Sequence, residues 1–187
     1  MAAVEPPRAA GETAASRGGV AVAMDGGAWL RALRVYLPAI LVGNLAWEAA
    51  HLPLYTLWRT GTAGERIFAV LHCTGGDLLI ALSALAVALL VAGDGAWPAV
   101  GHRRVAGLAV AGGVAYTAFS EWLNVEVRRS WAYAEAMPLL VLPGGFELGL
   151  SPVLQWLVVP TAALWLARRR ALRPRGGGET PAPRPIR

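Results

Sequence analysis

The chain has 187 residues, of which 56% are hydrophobic and only 16% are charged, and its mean hydropathy is +0.47. This composition excludes an ordinary soluble domain, whose apolar fraction is lower and more evenly interrupted. The net charge of +5 does not indicate nucleic-acid binding, because all 17 basic residues are arginines that flank apolar runs. The single cysteine, Cys73, excludes an intramolecular disulfide and a multi-cysteine zinc or iron–sulfur site within one chain.

Residues 1–27 are rich in Ala and Gly without helical periodicity, and we expect a disordered N-terminal tail there. Four apolar runs follow, each long enough to cross the roughly 30 Å hydrocarbon layer at about 1.5 Å per residue. They cover residues 35–58, 67–92, 105–123 and 148–167. The first run continues past the length of a signal-peptide core, so we expect it to be retained. The sequence therefore predicts an all-α, four-transmembrane-helix bundle over residues 28–167, with a disordered basic tail at residues 168–187.

The arginines predict how these helices are oriented. With the N-terminus inside, thirteen arginines fall on the inner side of the membrane and four on the outer side. The outer ones are Arg59, Arg66, Arg128 and Arg129. Because cytoplasmic segments carry the excess of basic residues, we expect a multi-pass protein with both chain ends in the cytoplasm. Membrane lipids are then its first expected partners, and the C-terminal arginines are expected to contact anionic head groups.

The longest connection lies on the predicted outer side, between the third and fourth helices, from Asn124 to about Gly149. It mixes aromatic residues with prolines and glycines, which is typical of a segment at head-group depth. Its apolar stretch, Met137–Leu142, is too short to cross a membrane. We therefore predict an interfacial or re-entrant outer segment.

Polar residues in and beside the four runs all fall toward the outer end. They are Asn44, Glu48, His51, His72, Asp77, Glu121, Asn124 and Gln155. An ionisable side chain in hydrocarbon costs at least a few kcal/mol, so several at one depth indicate a functional site.

The first predicted helix carries Asn44, Glu48, His51 and Tyr55 at i, i+4, i+7 and i+11, which places them on one face. Pro53 lacks a backbone donor, so we expect a kink beside this face.

The second and third helices bring the remaining acids. His72 and Asp77 are about 140° apart on an ideal helix and converge only if the pair of glycines at 75–76 loosens the turn. On the third helix, Glu121 follows Gly113 and Thr117 along one face, which continues to Asn124 and Arg128. The small residues Gly113 and Thr117 are expected to let a neighbouring helix come close.

Several functions are compatible with this constellation. In one, His51 and His72 with Glu48 and Asp77 bind zinc or iron, as Glu-x-x-His presents two ligands from one helix. In another, Glu48, His51 and Glu121 perform acid–base catalysis on a lipophilic molecule that enters from the outer leaflet. The pocket in either case would include Asn44, Tyr55, Asn124, Arg128, Gln155, Trp47 and Trp156.

A non-enzymatic role is the alternative, in which the polar groups satisfy one another and hold helices, or a partner's helix, together. That interpretation pairs Arg128 or Arg129 with Glu121 or Glu126, and His51 with Asp77. A transporter is a third possibility, which the lack of inverted repeats disfavours.

Four stretches resemble a family of small bacterial polytopic integral membrane proteins. They are Asn44 to Trp58, His72 to Asp77, SEWLNVEVRRSWAYAEAMP (120–138) and GLSPVLQW (149–156). The resemblance extends over about residues 29–167 and implies a bacterial inner-membrane location, but it brings no activity, cofactor or catalytic residue with it.

Overall fold

The computed structural model describes residues 27–173 and is mostly helical. Within this range the elements are α1 (Ala28–His51), a 3-10 turn (Leu52–Leu54), α2 (Leu57–Thr60), α3 (Ala63–Ala92), α4 (His102–Glu121), a π-helical turn (Trp122–Val127), β1 (Leu139–Val141), β2 (Glu147–Gly149) and α5 (Leu150–Ala171). The predicted tails lie outside the described residues, apart from residue 27 and residues 168–173. Residues 168–171, which the sequence assigns to the C-terminal tail, form the last turn of α5.

The first helix ends earlier than predicted. Instead of continuing with a kink to residue 58, α1 stops at His51, and Pro53 lies in the 3-10 turn that follows. Proline cannot donate the hydrogen bond that another helical turn would need, and its ring clashes with the preceding turn. The chain then becomes extended at Tyr55 before the short helix α2.

The second long helix, α3, begins with a capping box. The Glu65 backbone N–H donates to Thr62 Oγ1 (3.3 Å), and the Thr62 backbone N–H donates to Glu65 Oε2 (2.7 Å). From there α3 continues without interruption to Ala92. Gly75 and Gly76 therefore do not loosen it, because a glycine lowers helix stability by about 1 kcal/mol without removing a backbone hydrogen bond.

The third long helix, α4, changes its winding at its C-terminal end. Residues 122–127 form a π-helical turn, and Arg129 adopts a left-handed conformation with φ of 54°. The wider turn changes the phase of the residues that follow, so Arg128 is exposed instead of continuing the buried face of Glu121.

The outer segment contains a short antiparallel hairpin, the one two-stranded sheet of residues 27–173, in which Leu139 pairs with Gly149 and Val141 with Glu147. Its turn contains Gly144 and Gly145, both with positive φ. The predicted helical fold is confirmed for most of the described residues, but in this segment Leu139–Val141 are extended and exposed.

The four long helices pack side by side around a shared core. Helix α1 contacts α3 and α5, and α4 contacts the same two helices. A Cβ atom added to Gly113 of α4 would overlap the Trp156 ring of α5, so the glycine is what allows this close approach. Arg31 donates to the carbonyl oxygen of Ala171 (3.2 Å), which places the start of α1 beside the end of α5.

Two of these helices, α3 and α5, are long and apolar enough to cross a membrane, judged by length and composition. The outward faces carry exposed aliphatic and aromatic side chains, such as Phe68, Leu79 and Leu90.

Candidate functional site

A cavity of about 410 Å³ lies where α1 and α4 end and α3 and α5 begin. Its polar wall includes the three acids Glu48, Asp77 and Glu121, together with His51 and Gln155. Each of these five side chains belongs to a buried residue, and the four long helices all contribute at least one of them. The structure therefore brings the predicted polar residues of separate helices to one place.

Gln155 of α5 is the centre of the first hydrogen-bond cluster. Its Nε2 donates to Asp77 Oδ2 (2.8 Å), Glu48 Oε1 (3.1 Å) and Asn44 Oδ1 (3.2 Å). One neutral amide thus faces two carboxyl groups and joins α1, α3 and α5. Gln155 is 2% exposed, so these contacts are made away from bulk water.

His51 is held from both sides. Its Nε2 lies 3.1 Å from Glu48 Oε2, and its Nδ1 lies 3.0 Å from Ser151 Oγ, which also accepts a hydrogen bond from Trp47 Nε1 (3.2 Å). When the ring is neutral, one direction of donation satisfies every group: Trp47 to Ser151, the Ser151 hydroxyl to Nδ1, and Nε2–H to Glu48. Both ring nitrogens are then occupied, and the tautomer of His51 is defined.

Glu121 of α4 forms the third cluster, with two tyrosines. Tyr133 donates to Glu121 Oε2 (2.6 Å), and Tyr55 makes a longer contact with Oε1 (3.5 Å). Tyr133 also accepts the backbone N–H of Gly149 (3.1 Å). Burial, and then the nearby charge of Glu121, raise the pKa of Tyr133, so its hydroxyl stays protonated and donates.

Backbone hydrogen bonds tie the outer segment to the chain that follows α1. The Thr56 N–H donates to the carbonyl of Ala132 (3.0 Å), the Ala134 N–H donates to that of Leu54 (2.9 Å), and Tyr55 and Tyr133 form a β-bridge. Two further residues, Arg128 and Trp131, line the cavity. The segment thus takes part in the site.

The remaining wall is apolar and partly faces outward. Leu79 of α3 and Tyr116 of α4 both line the cavity, although they are 67% and 50% exposed. Gly76 also lines it, and a Cβ atom added there would meet nothing within 4 Å. The cavity therefore combines a buried polar wall with an apolar wall that reaches the outer surface of α3 and α4.

Most, but not all, of the sequence-predicted residues line this cavity. Those that do are Glu48, His51, Tyr55, His72, Asp77, Glu121, Asn124, Arg128, Gln155 and Trp156. Asn44 and Trp47 do not line it; they support Gln155 and Ser151 from behind. His72 is exposed and its ring stacks on Phe68 with centroids 5.3 Å apart.

The side-chain pairs expected for a purely structural network differ from those observed. His51 bonds Glu48 and Ser151 instead of Asp77, and Glu121 bonds tyrosines instead of arginines. Helical spacing defines which face a residue occupies, but the rotation of the neighbouring helix decides its partner.

The metal hypothesis receives no support from the ligand arrangement. Across residues 27–173, no three His, Cys, Asp or Glu side chains are grouped so that they could hold a metal ion. Glu48 and His51 lie together, but His72 is on the exposed side of α3. The zinc or iron site of Glu48, His51, His72 and Asp77 stays a prediction.

Comparison with known proteins adds no assignment. No protein-family model, curated protein or solved structure matches the chain. The resemblance to a family of small bacterial membrane proteins therefore stays a prediction.

Two residues of the site, Ser151 and Tyr133, are not among the site residues predicted from the sequence. Ser151 lies four residues before Gln155, and this spacing could have placed it on the same face. Tyr133 carries no such signal, because its partner Glu121 is reached only when the outer segment folds back. Thr117, which the sequence places on the same face as Glu121, also lines the cavity one helical turn before it.

Proposed function

We propose that the protein crosses a bacterial inner membrane four times, through α1, α3, α4 and α5, with the cavity at the outer end. Helices of 20 to 30 residues are long enough for this. Among the described residues, eight arginines flank the end opposite the cavity and four flank the cavity end. This excess supports a cytoplasmic location for both chain ends.

The function proposed for the cavity is to bind a lipophilic molecule taken from the outer leaflet. The observation that carries this proposal is the two-sided wall, with buried carboxyl groups on one side and the outward-facing Leu79 and Tyr116 on the other. A hydrocarbon chain could contact the apolar wall while a polar end is held by the carboxyl groups. Concave sites with mainly apolar walls and a few convergent polar groups are typical of small-molecule binding.

Chemistry on the bound molecule would use Glu48 and His51 as its acid–base pair. They are in contact, both line the cavity, and Ser151 holds the imidazole in one orientation. Glu121, held by Tyr133, is the second candidate acid.

A matched pair of glycine substitutions tests the binding function. Gly76→Leu would place a side chain in the cavity, whereas Gly75→Leu adds the same group to the neighbouring exposed position, which does not line the cavity. Both changes raise helix propensity equally, so a difference between them reports on the cavity.

The measurement is mass spectrometry of the lipophilic material that is retained after purification in mild detergent. We expect a stoichiometric molecule in the parent protein and in Gly75→Leu, and its loss from Gly76→Leu. Equal retention by all three proteins, or retention of nothing by any of them, would contradict the proposal.

The second candidate function is a membrane scaffold or assembly protein. Its specific support is Gln155, whose single amide joins three helices and leaves the polar groups largely satisfied by one another. A scaffold would co-purify with a defined membrane partner and would be indifferent to Gly76→Leu.

A further inference from the structure

Acidic side chains outnumber buried basic side chains around the cavity. Glu48, Asp77 and Glu121 lie in its buried wall, on three different helices. Within residues 27–173, the one contact of 4 Å or less between a carboxylate and a basic group at this cavity is that of Glu48 with His51. The other basic side chains on its lining, Arg128 and His72, are exposed. Asp77 and Glu121 therefore face the cavity without a buried cation.

Hydrogen-bond acceptors also outnumber donors around Gln155. The Gln155 amide nitrogen has two hydrogens but three oxygen atoms within 3.2 Å. At least one of these three oxygen atoms therefore lacks a full hydrogen bond from Gln155, and a group in the cavity that donates to Glu48 or Asp77 would compensate for this.

Aromatic rings complete the surroundings. Tyr55, Tyr116, Trp131 and Trp156 all line the cavity. The negative faces of such rings attract cations, and this attraction is strongest where water is excluded.

On these grounds we propose that the ligand is a lipophilic amine, whose ammonium group binds to the acidic wall that includes Asp77 and Glu121 while its hydrocarbon part lies against Leu79 and Tyr116. An ammonium brings one positive charge and up to three N–H donors. This inference rests on the binding function proposed above and adds the chemical class of the ligand.

The test uses three probes with the same decyl chain: decylamine, decanol and decanoate. Each is titrated into the full-length protein in lipid nanodiscs, and its dissociation constant is obtained from the concentration dependence of the melting temperature. All three compounds also enter the bilayer and can change the melting temperature without binding in the cavity. The change in melting temperature measured for Gly76→Leu is therefore subtracted from that of the parent protein, and Gly75→Leu serves as the matched control.

We expect decylamine to bind at least about tenfold more tightly than decanol, because charge-assisted hydrogen bonds are roughly twice as strong as neutral ones. Decanoate should not bind. Asp77→Asn and Glu121→Gln, made separately so that a folding defect in one leaves the other informative, should each reduce the preference for the amine to about threefold or less.

Two outcomes overturn the inference in distinguishable ways. If decanol or decanoate binds as tightly as decylamine, and Gly76→Leu still abolishes binding, the cavity takes lipophilic molecules without selecting a cation. If Gly76→Leu changes the binding of none of the three compounds, the proposed binding function itself is wrong.

Discussion

Replacing Gln155 with leucine should lower the stability of the helix assembly. The substitution keeps the approximate size of the side chain but removes the amide that faces Asp77, Glu48 and Asn44. Three oxygen atoms on two other helices would then lose their donor in a buried setting, where such groups have no water to replace it.

The magnitude follows from the geometry of the amide. Its nitrogen has two hydrogens, so at most two of the three contacts are full hydrogen bonds at one time. At about 0.6 to 1.5 kcal/mol for each bond, the free energy of unfolding should fall by about 1 to 3 kcal/mol. This corresponds to a roughly 5- to 150-fold change in the unfolding equilibrium constant.

The assay is unfolding of the purified protein in detergent by added dodecyl sulfate, followed by circular dichroism. Thr161→Leu is the control, because Thr161 is an exposed residue of the same helix and its replacement should change the free energy of unfolding by less than about 0.5 kcal/mol. If Gln155→Leu unfolds at the same dodecyl sulfate concentration as the parent protein, the amide does not stabilise the three helices and the reasoning fails.

Three further predictions concern other contacts of the site. Gly113→Ala should destabilise the protein by about 1 to 3 kcal/mol because the added methyl group overlaps Trp156. Gly112→Ala is the control and should not destabilise it, because its Cβ would lie 3.7 Å from Ala84. Equal stability of the two variants in the same unfolding assay would show that the close approach of α4 and α5 is unimportant. Tyr133→Phe should raise the hydrogen-exchange rate of the Gly149 amide about tenfold or more, since the amide loses its acceptor. Tyr55→Phe removes only a 3.5 Å contact with Glu121 and should change this rate little. A larger increase in Tyr55→Phe than in Tyr133→Phe would refute the prediction. Cys73, which lines the cavity, should react with N-ethylmaleimide more slowly in Gly76→Leu than in Gly75→Leu, as measured by mass spectrometry, and identical rates would place the thiol outside the cavity.

Periodicity in the sequence predicts the polar faces of α1 and α4 well. Asn44, Glu48 and His51 are all buried on α1, as are Thr117 and Glu121 on α4, because side chains at i, i+3 and i+4 share a helix face. This pattern is local, so it can be recognised without knowing the neighbours of either helix.

The partners of these residues are not predictable in the same way. Whether His51 meets Asp77 or Ser151 depends on how α3 and α5 are rotated about their axes, which no spacing within α1 encodes. The hairpin is not predictable from the sequence either. The apolar residues of β1 have the pattern of a short membrane-associated segment, and only their pairing with β2 distinguishes them from one.

Glu121 belongs to two systems at once. One of its oxygen atoms holds Tyr133, and with it the outer segment, while the carboxyl group also forms part of the cavity wall. A ligand that draws charge from this carboxylate competes with the tyrosine, so occupancy of the cavity and the position of the outer segment are thermodynamically linked. Linkage is reciprocal. If the ligand changes the equilibrium constant for docking of the outer segment by some factor, then docking of that segment must change the affinity of the cavity for the ligand by the same factor.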